Sequence, residues 1–189
     1  MDRREALKRT ALLMGGIISA PTISGILNGC TAKPSIDWKP VFFSADQGIL
    51  VTQVADIIIP KTDTPGAKDV GVPGFIDTMV KDVFKKEEQD AFMESLRHFE
   101  AESEKEFGER FIDLSIEQQT EYVNKVHDAA IKDSVDDRPF ILRMKELTVA
   151  GFFTSEVGAT QVLQYDPVPG AYHGCLPLSE AGNGKTWAT

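Results

Sequence analysis

Asp166, His173 and Cys175 lie within ten residues of one another. An acid, an imidazole and a thiol are the parts of a thiol nucleophile set. Catalytic partners normally converge from separate elements, and no oxyanion site accompanies these three. The other two histidines, His98 and His127, fall in helical stretches, where a lone histidine is structural or exposed. The two cysteines, Cys30 and Cys175, cannot form a metal cluster by themselves. No Cys-x-x-Cys-His haem attachment motif is present. Neither is a Gly-x-Gly-x-x-Gly, a P-loop, a His-Glu-x-x-His or a Gly-x-Ser-x-Gly. The chain therefore reads as holding no cofactor of its own.

The three residues sit in an unusual setting. From Leu147 to Leu178 only Glu156 and Asp166 are charged, whereas the whole chain is 26% charged. From Tyr165 the sequence reads YDPVPGAYHGCLP, with three prolines, two glycines and two tyrosines. Proline and glycine at that density exclude a regular helix or a central strand. A rigid, apolar, aromatic loop normally lies against something. It is either an extended tail wrapped over its own helices or a surface that docks on a partner protein. The docking set is Phe152, Phe153, Tyr165, Asp166, Pro167, Pro169, Tyr172, His173 and Cys175.

Stepping N-terminally, residues 1–29 read as a targeting segment. DRREALKR at 2–9 is followed by the apolar run Ala11–Leu27, a signal-peptide layout. Arg3 and Arg4, with Leu7 and Lys8 after them, resemble a twin-arginine export signal. Asp2 replaces the usual Ser or Thr before the pair, and Ala6 the usual Phe. Gly15, Gly16, Pro21 and Gly25 interrupt the run, which makes it a poor permanent membrane helix. It ends in Leu27-Asn28-Gly29-Cys30, which resembles a lipobox, so Cys30 is the expected lipidation site and new N-terminus. Several acyl chains would hold the protein firmly, since one alone binds only marginally. Residues 30–41 then form a lipid-anchored tether, and 42–189 the mature domain. The expected location is the periplasm, on a membrane.

The chain has a formal net charge of −9, and 42% of its residues are hydrophobic. Loss of residues 1–29 leaves 16 Lys and Arg against 27 Asp and Glu. That balance argues against nucleic acid and against binding anionic lipid through a charged patch.

The elements that must position the loop are helical. Ser44 with Gln47 is a capping box that starts a helix to about Ile59, stopped by Pro60. Its buried face is expected at Ile49 or Leu50, Val54, Ile57 and Ile58. Pro73 suits the first turn of a second helix to about Phe84, with Phe75, Ile76, Met79, Val80 and Val83 as its apolar stripe. Phe92, Leu96 and Phe99 mark a third helix over Glu87–Phe107, whose glutamates read as a solvated face and which Gly108 ends. Ser115 with Gln118 caps a fourth, Ile116–Ile131, with Tyr122, Val123 and Val126 inward. Asp137 caps a fifth that begins near Arg138-Pro139, with Phe140, Ile141, Met144, Leu147 and Val149 apolar. Ser155 and Glu156 start a short last helix through Leu163. No alternating run argues for a sheet, so the fold class is all-α, a single helical domain with an irregular Pro/Gly-rich C-terminal segment.

Two segments also carry a family resemblance. LTVAGFFTSEVG followed by YDPVPGAYHGCLPL, and ADIIIPKTDTPGAKDVGVPGFID from Ala55 to Asp77, resemble in order the recurring segments of the gluconate 2-dehydrogenase subunit 3 family. The resemblance implies a small, non-catalytic, exported helical subunit. It would accompany a flavin-dependent dehydrogenase of the glucose–methanol–choline (GMC) type. FAD would reside in that large subunit, which oxidises a hydroxyl group of a sugar or alcohol. Electrons would leave through a cytochrome or another carrier. A free-standing envelope lipoprotein that binds a solute or scaffolds a complex is the alternative, and an enzyme using Asp166, His173 and Cys175 a third. Once Cys30 is acylated, Cys175 is the one thiol left. In an oxidising compartment it is either buried packing or an intersubunit disulfide.

Overall fold

A computed structural model describes residues 35–132, 139–168, 170–171, 174–177, 179–180 and 184–188. The export residues Arg3, Arg4, Leu7 and Lys8, the lipidation residue Cys30, the expected cap Asp137, and Pro169, Tyr172 and His173 lie outside that set. Residues from Pro34 onward form one compact unit. It is built of α1 (Ala45–Ile58), α2 (Val72–Asp82), α3 (Lys86–Phe107), a 3-10 turn (Phe111–Asp113), α4 (Ile116–Lys132), α5 (Phe140–Phe153) and a π-helical turn (Gly158–Val162). The described residues contain no strand beyond one isolated bridge between Gln164 and Trp187. None of their helices is long and apolar enough to cross a membrane.

Local chemistry sets the helix ends. The Ser44 N–H donates to Gln47 Oε1 at 2.9 Å, and Ser44 Oγ accepts from the Gln47 N–H at 3.3 Å. Ser115 and Gln118 repeat the arrangement at α4. These reciprocal bonds satisfy donors that the first helical turn leaves orphaned. Gly108 closes α3 at φ +77°, a left-handed conformation that favours glycine. Gln89 on α3 reaches back with its amide to the carbonyls of Val80 and Lys81, and so caps the C-terminus of α2.

α5 is the central helix and packs on α1, α2, α3 and α4. Phe140, Ile141, Met144, Leu147 and Phe152 bury against them. Gly151 permits the approach of α2, because a Cβ there would stand 2.6 Å from the Phe75 ring. Aromatic rings run through the core. Phe99 lies 5.0 Å from Phe140, 5.1 Å from Phe111 and 4.9 Å from Tyr122, and Phe92 joins Phe140 at 5.5 Å. Full burial of each such side chain stabilises the fold by roughly 2–3 kcal/mol before packing geometry is counted.

Several faces are rotated from those the sequence suggests. α1 buries Leu50, Val51, Val54 and Ala55, while Ile57 and Ile58 are half-buried. On α2 the buried residues are Val72, Pro73, Ile76, Asp77 and Val80, and Val83 is exposed. Val149 on α5 is exposed as well. Each misplaced residue is apolar, and α1 and α5 also bury small or polar residues such as Gly48, Thr52 and Thr148, so an apolar run alone does not fix the face.

The residues before α1 are not loose. Ile36, Trp38 and Pro40, which the sequence assigns to the tether, lie against α1 at Gly48. The Trp38 indole N–H donates to Thr52 Oγ1 at 3.3 Å. Asp77, which is 1% exposed, accepts the backbone N–H groups of Val41 at 2.7 Å, Phe42 at 3.1 Å and Phe43 at 2.8 Å. Backbone donors thus satisfy this buried carboxylate, as burial of a charge demands.

Candidate functional site: a groove and a clasped loop

The loop after α1 folds back on the end of its own helix. Pro60 cannot continue α1, and the Ala67 N–H instead takes the Ile59 carbonyl at 2.8 Å. Asp69 accepts the Gly66 N–H at 3.1 Å, and Lys61 Nζ lies 3.9 Å from its carboxylate.

The end of α5 turns just as tightly. Ser155 Oγ donates to the Phe152 carbonyl at 2.6 Å and accepts the Gly158 N–H at 3.1 Å. A Cβ on Gly158 would lie 2.0 Å from the Phe152 oxygen, so the π-helical turn needs glycine at its start. Isolated π turns of this kind are frequent at functional sites.

These two turns face each other across an open groove of about 510 Å³. Lys61, Pro65, Asp69 and Val70 line one side, and Ser155, Glu156 and Val157 the other. Its walls therefore come from the two segments singled out in the sequence, and the fold makes them neighbours.

Beyond the π turn the chain leaves the helices. Asp166 Oδ1 accepts the Val168 N–H at 3.0 Å, which makes a local turn. The segment is clasped at its base. The Gln164 N–H donates to the Thr186 carbonyl and the Ala188 N–H to the Gln164 carbonyl, both at 2.8 Å. Lys185 Nζ donates to the Gln161 carbonyl, at the end of the π turn, at 2.6 Å. Between those closed ends Tyr165 is 60% exposed, Val168 79% and Leu176 48%. An extended tail laid over the helices would cover these side chains, and it does not.

Of the residues read as a docking surface, Tyr165, Asp166, Pro167 and Cys175 are exposed, and Cys175 is a free thiol. Phe153 is half-buried, its ring edge-on to Phe152 at 5.4 Å. Phe152 itself is a correction. It is 3% exposed, because its place on α5 points it into the core, and it has no free surface to offer a partner. Lys61, Asp69 and the clasp at residues 184–188 do not stand out in the sequence. The clasp comes from contacts across more than twenty residues, whereas the bonds of Asp69 are local, within a loop that Pro65, Gly66 and Gly71 mark.

No catalytic set emerges among the described residues. The Asp166 carboxylate is occupied with its own turn. His98 is exposed, and half-buried His127 sits 2.9 Å from Lys145 Nζ. No group of three His, Cys, Asp or Glu among them could hold a metal ion.

Neither the curated proteins nor the solved structures contain a match to this chain. The family model described as gluconate 2-dehydrogenase subunit 3 matches residues 45–170. That span opens on the first residue of α1 and takes in both walls of the groove and the start of the clasped loop. With about two thirds of its residues inside that match, the chain belongs to the gluconate 2-dehydrogenase subunit 3 family.

Proposed function

We propose that this chain is the small, non-catalytic subunit of a periplasmic, membrane-associated dehydrogenase whose large subunit is a GMC-type flavoprotein. The family is that of an accessory subunit of a dehydrogenase complex and implies a catalytic partner. In this reading FAD resides in the partner, which oxidises a hydroxyl group of a sugar or alcohol. A cytochrome or another carrier takes the electrons onward. The groove and the loop from Tyr165 to Cys175 grip the large subunit, and Cys175 is placed to form a disulfide with it. A flavoprotein must fold around its cofactor before export. The twin-arginine signal on this chain would therefore escort the folded pair, and acylated Cys30 would anchor it.

One observation carries the docking assignment. This acidic chain holds Tyr165, Val168 and Leu176, three of its exposed apolar residues, together on a loop whose base is bonded shut. Holding such a loop in place costs conformational entropy and exposes apolar surface, and a partner that covers it offsets both.

The test is isolation of the native protein from membranes by affinity capture. A large chain with a flavin absorbance spectrum is the expected companion, joined to this one as a single band on a non-reducing gel that splits on reduction. Recovery of this chain alone, without flavin, would overturn the subunit reading. Recovery of the flavoprotein as a separate band with thiols trapped would remove only the disulfide.

A further inference from the structure

We propose that residues 184–188, with Lys185 foremost, are a positioning element for the docking loop. They cap the π turn, fix where the loop leaves the helical unit, and so set how well the large subunit is captured. This rests on the reading of the loop as the docking surface.

The local sequence does not decide where the chain leaves the π turn. From Ala159 to Asp166 it reads ATQVLQYD, with no glycine or proline to end a helix. The Leu163 N–H closes the turn on the Gly158 carbonyl at 2.8 Å. A continuing helix would then send the Gln164 N–H to a carbonyl four or five residues back. It goes instead to the carbonyl of Thr186, 22 positions on, and the Gln164 carbonyl accepts the Ala188 N–H in return. Leu163 is already extended, at φ −85° and ψ 179°. The backbone turns away because distant residues hold both polar backbone groups of Gln164.

Lys185 completes the cap. The last carbonyls of a helical turn lack partners within it. The Lys185 ammonium donates to that of Gln161, and a cation is favoured at this end of a helix. The bond is charge-assisted, which makes it the strongest kind among the three. Other forces at the clasp are weak. The Trp187 ring is exposed, so its burial adds little. Gln164 Oε1 is buried and has no hydrogen-bond partner among the described residues, which opposes closure. Three hydrogen bonds therefore hold the clasp with an unmet acceptor set against them, and loss of the one from Lys185 is enough to open it.

The loop inherits its direction from this point. Val162 packs against the core, Gln164 is clasped, and exposed Tyr165 follows at once. Asp166 then makes a turn local to the loop by accepting the Val168 N–H. A fixed Gln164 gives Tyr165 and that turn one exit from the helical unit. With Gln164 released, the large subunit must order the loop itself, and the conformational freedom lost on binding weakens capture.

Amide hydrogen exchange of the full chain reads the clasp directly. The Gln164 and Ala188 amides are expected to exchange about tenfold faster in Lys185→Met than in the parent. Lys185→Arg keeps a cationic donor and should restore the parental rate, while the Val54 and Leu96 amides of the helical core stay unchanged. Equal exchange at Gln164 in the parent and in Lys185→Met overturns the role of Lys185 and the proposal with it. Affinity capture from native membranes then reads the consequence as flavin recovered per chain, under reducing conditions so that no disulfide holds the pair. Lys185→Met should recover several-fold less flavin than the parent at an unchanged urea midpoint, and Lys185→Arg as much as the parent. Parental recovery by Lys185→Met, with Gln164 exchanging fast, shows that capture does not need an ordered loop and overturns the proposal. Deletion of residues 184–189 removes all three bonds and should lower recovery further, so a deleted chain that captures as well as the parent overturns it too. A parent that recovers no flavin removes the subunit reading, whereas a parent that recovers flavin with no loss in either variant removes the positioning role alone.

Discussion

Asp77 shows how one residue joins distant parts of the chain. Its carboxylate is 1% exposed and is held by three backbone N–H donors from residues 41–43. Asp77→Ala would strand those donors and is expected to cost on the order of 3 kcal/mol. Asp77→Asn keeps one acceptor oxygen and should fall between the two. Urea denaturation reads both as a lowered midpoint. Glu100 poses the opposite problem. Burial raises its carboxyl above the ordinary value, Arg110 opposes the rise, and Asp46 and Glu104 add to it. The folded state therefore keeps this proton longer than the unfolded state. Stability contributed by the protonated form is present below the unfolded value of 4.5 and is lost as pH rises through the raised folded value. Glu100→Gln is expected to be more stable than the parent at neutral pH and to lose that advantage below pH 4.5. Denaturation curves of both proteins at the two pH values check the sign.

At the scale of elements, the π-helical turn is the most constrained connection. Gly158 approaches the Phe152 carbonyl so closely that any Cβ must displace backbone. Gly158→Ala is expected to cost about 2 kcal/mol. It should also loosen the chain beyond Val162, read as faster proteolysis there and weaker capture of the large subunit. The glycine gives no sign of this in the sequence, where SEVGAT looks like an ordinary helix start. What was legible follows a simple division. Ser44 with Gln47, Pro60, Ser115 with Gln118, and Gly108 act within four residues of themselves, and the helix ends they mark are where the sequence puts them. The groove, the clasp at Gln164 and the three bonds to Asp77 join residues 22 to 36 positions apart or more, and no local pattern announces them. Asp77 did leave a trace, since it falls between Ile76 and Val80 on the stripe of α2 that turns inward. An acid on an apolar stripe is a buried polar group in search of donors.

The whole molecule combines an acidic helical unit with a C-terminal segment clasped at Gln164. If the export signal serves a pair, Arg3→Lys with Arg4→Lys should leave both this chain and the flavoprotein in the cytoplasm. Cell fractionation with a flavin assay reads it, and normal periplasmic flavoprotein would end the escort idea. The bonds from Val41 and Phe43 to Asp77 also order events in time. They join residues 36 and 34 positions apart. During synthesis the backbone N–H groups of residues 41–43 therefore lack this carboxylate until α2 has emerged and coiled. Once they are held, their immobility records that a later part of the chain has already folded. A protease or hydrogen-exchange probe at residues 41–43 thus acts as a clock for the completion of α2, not as a gauge of local sequence preference.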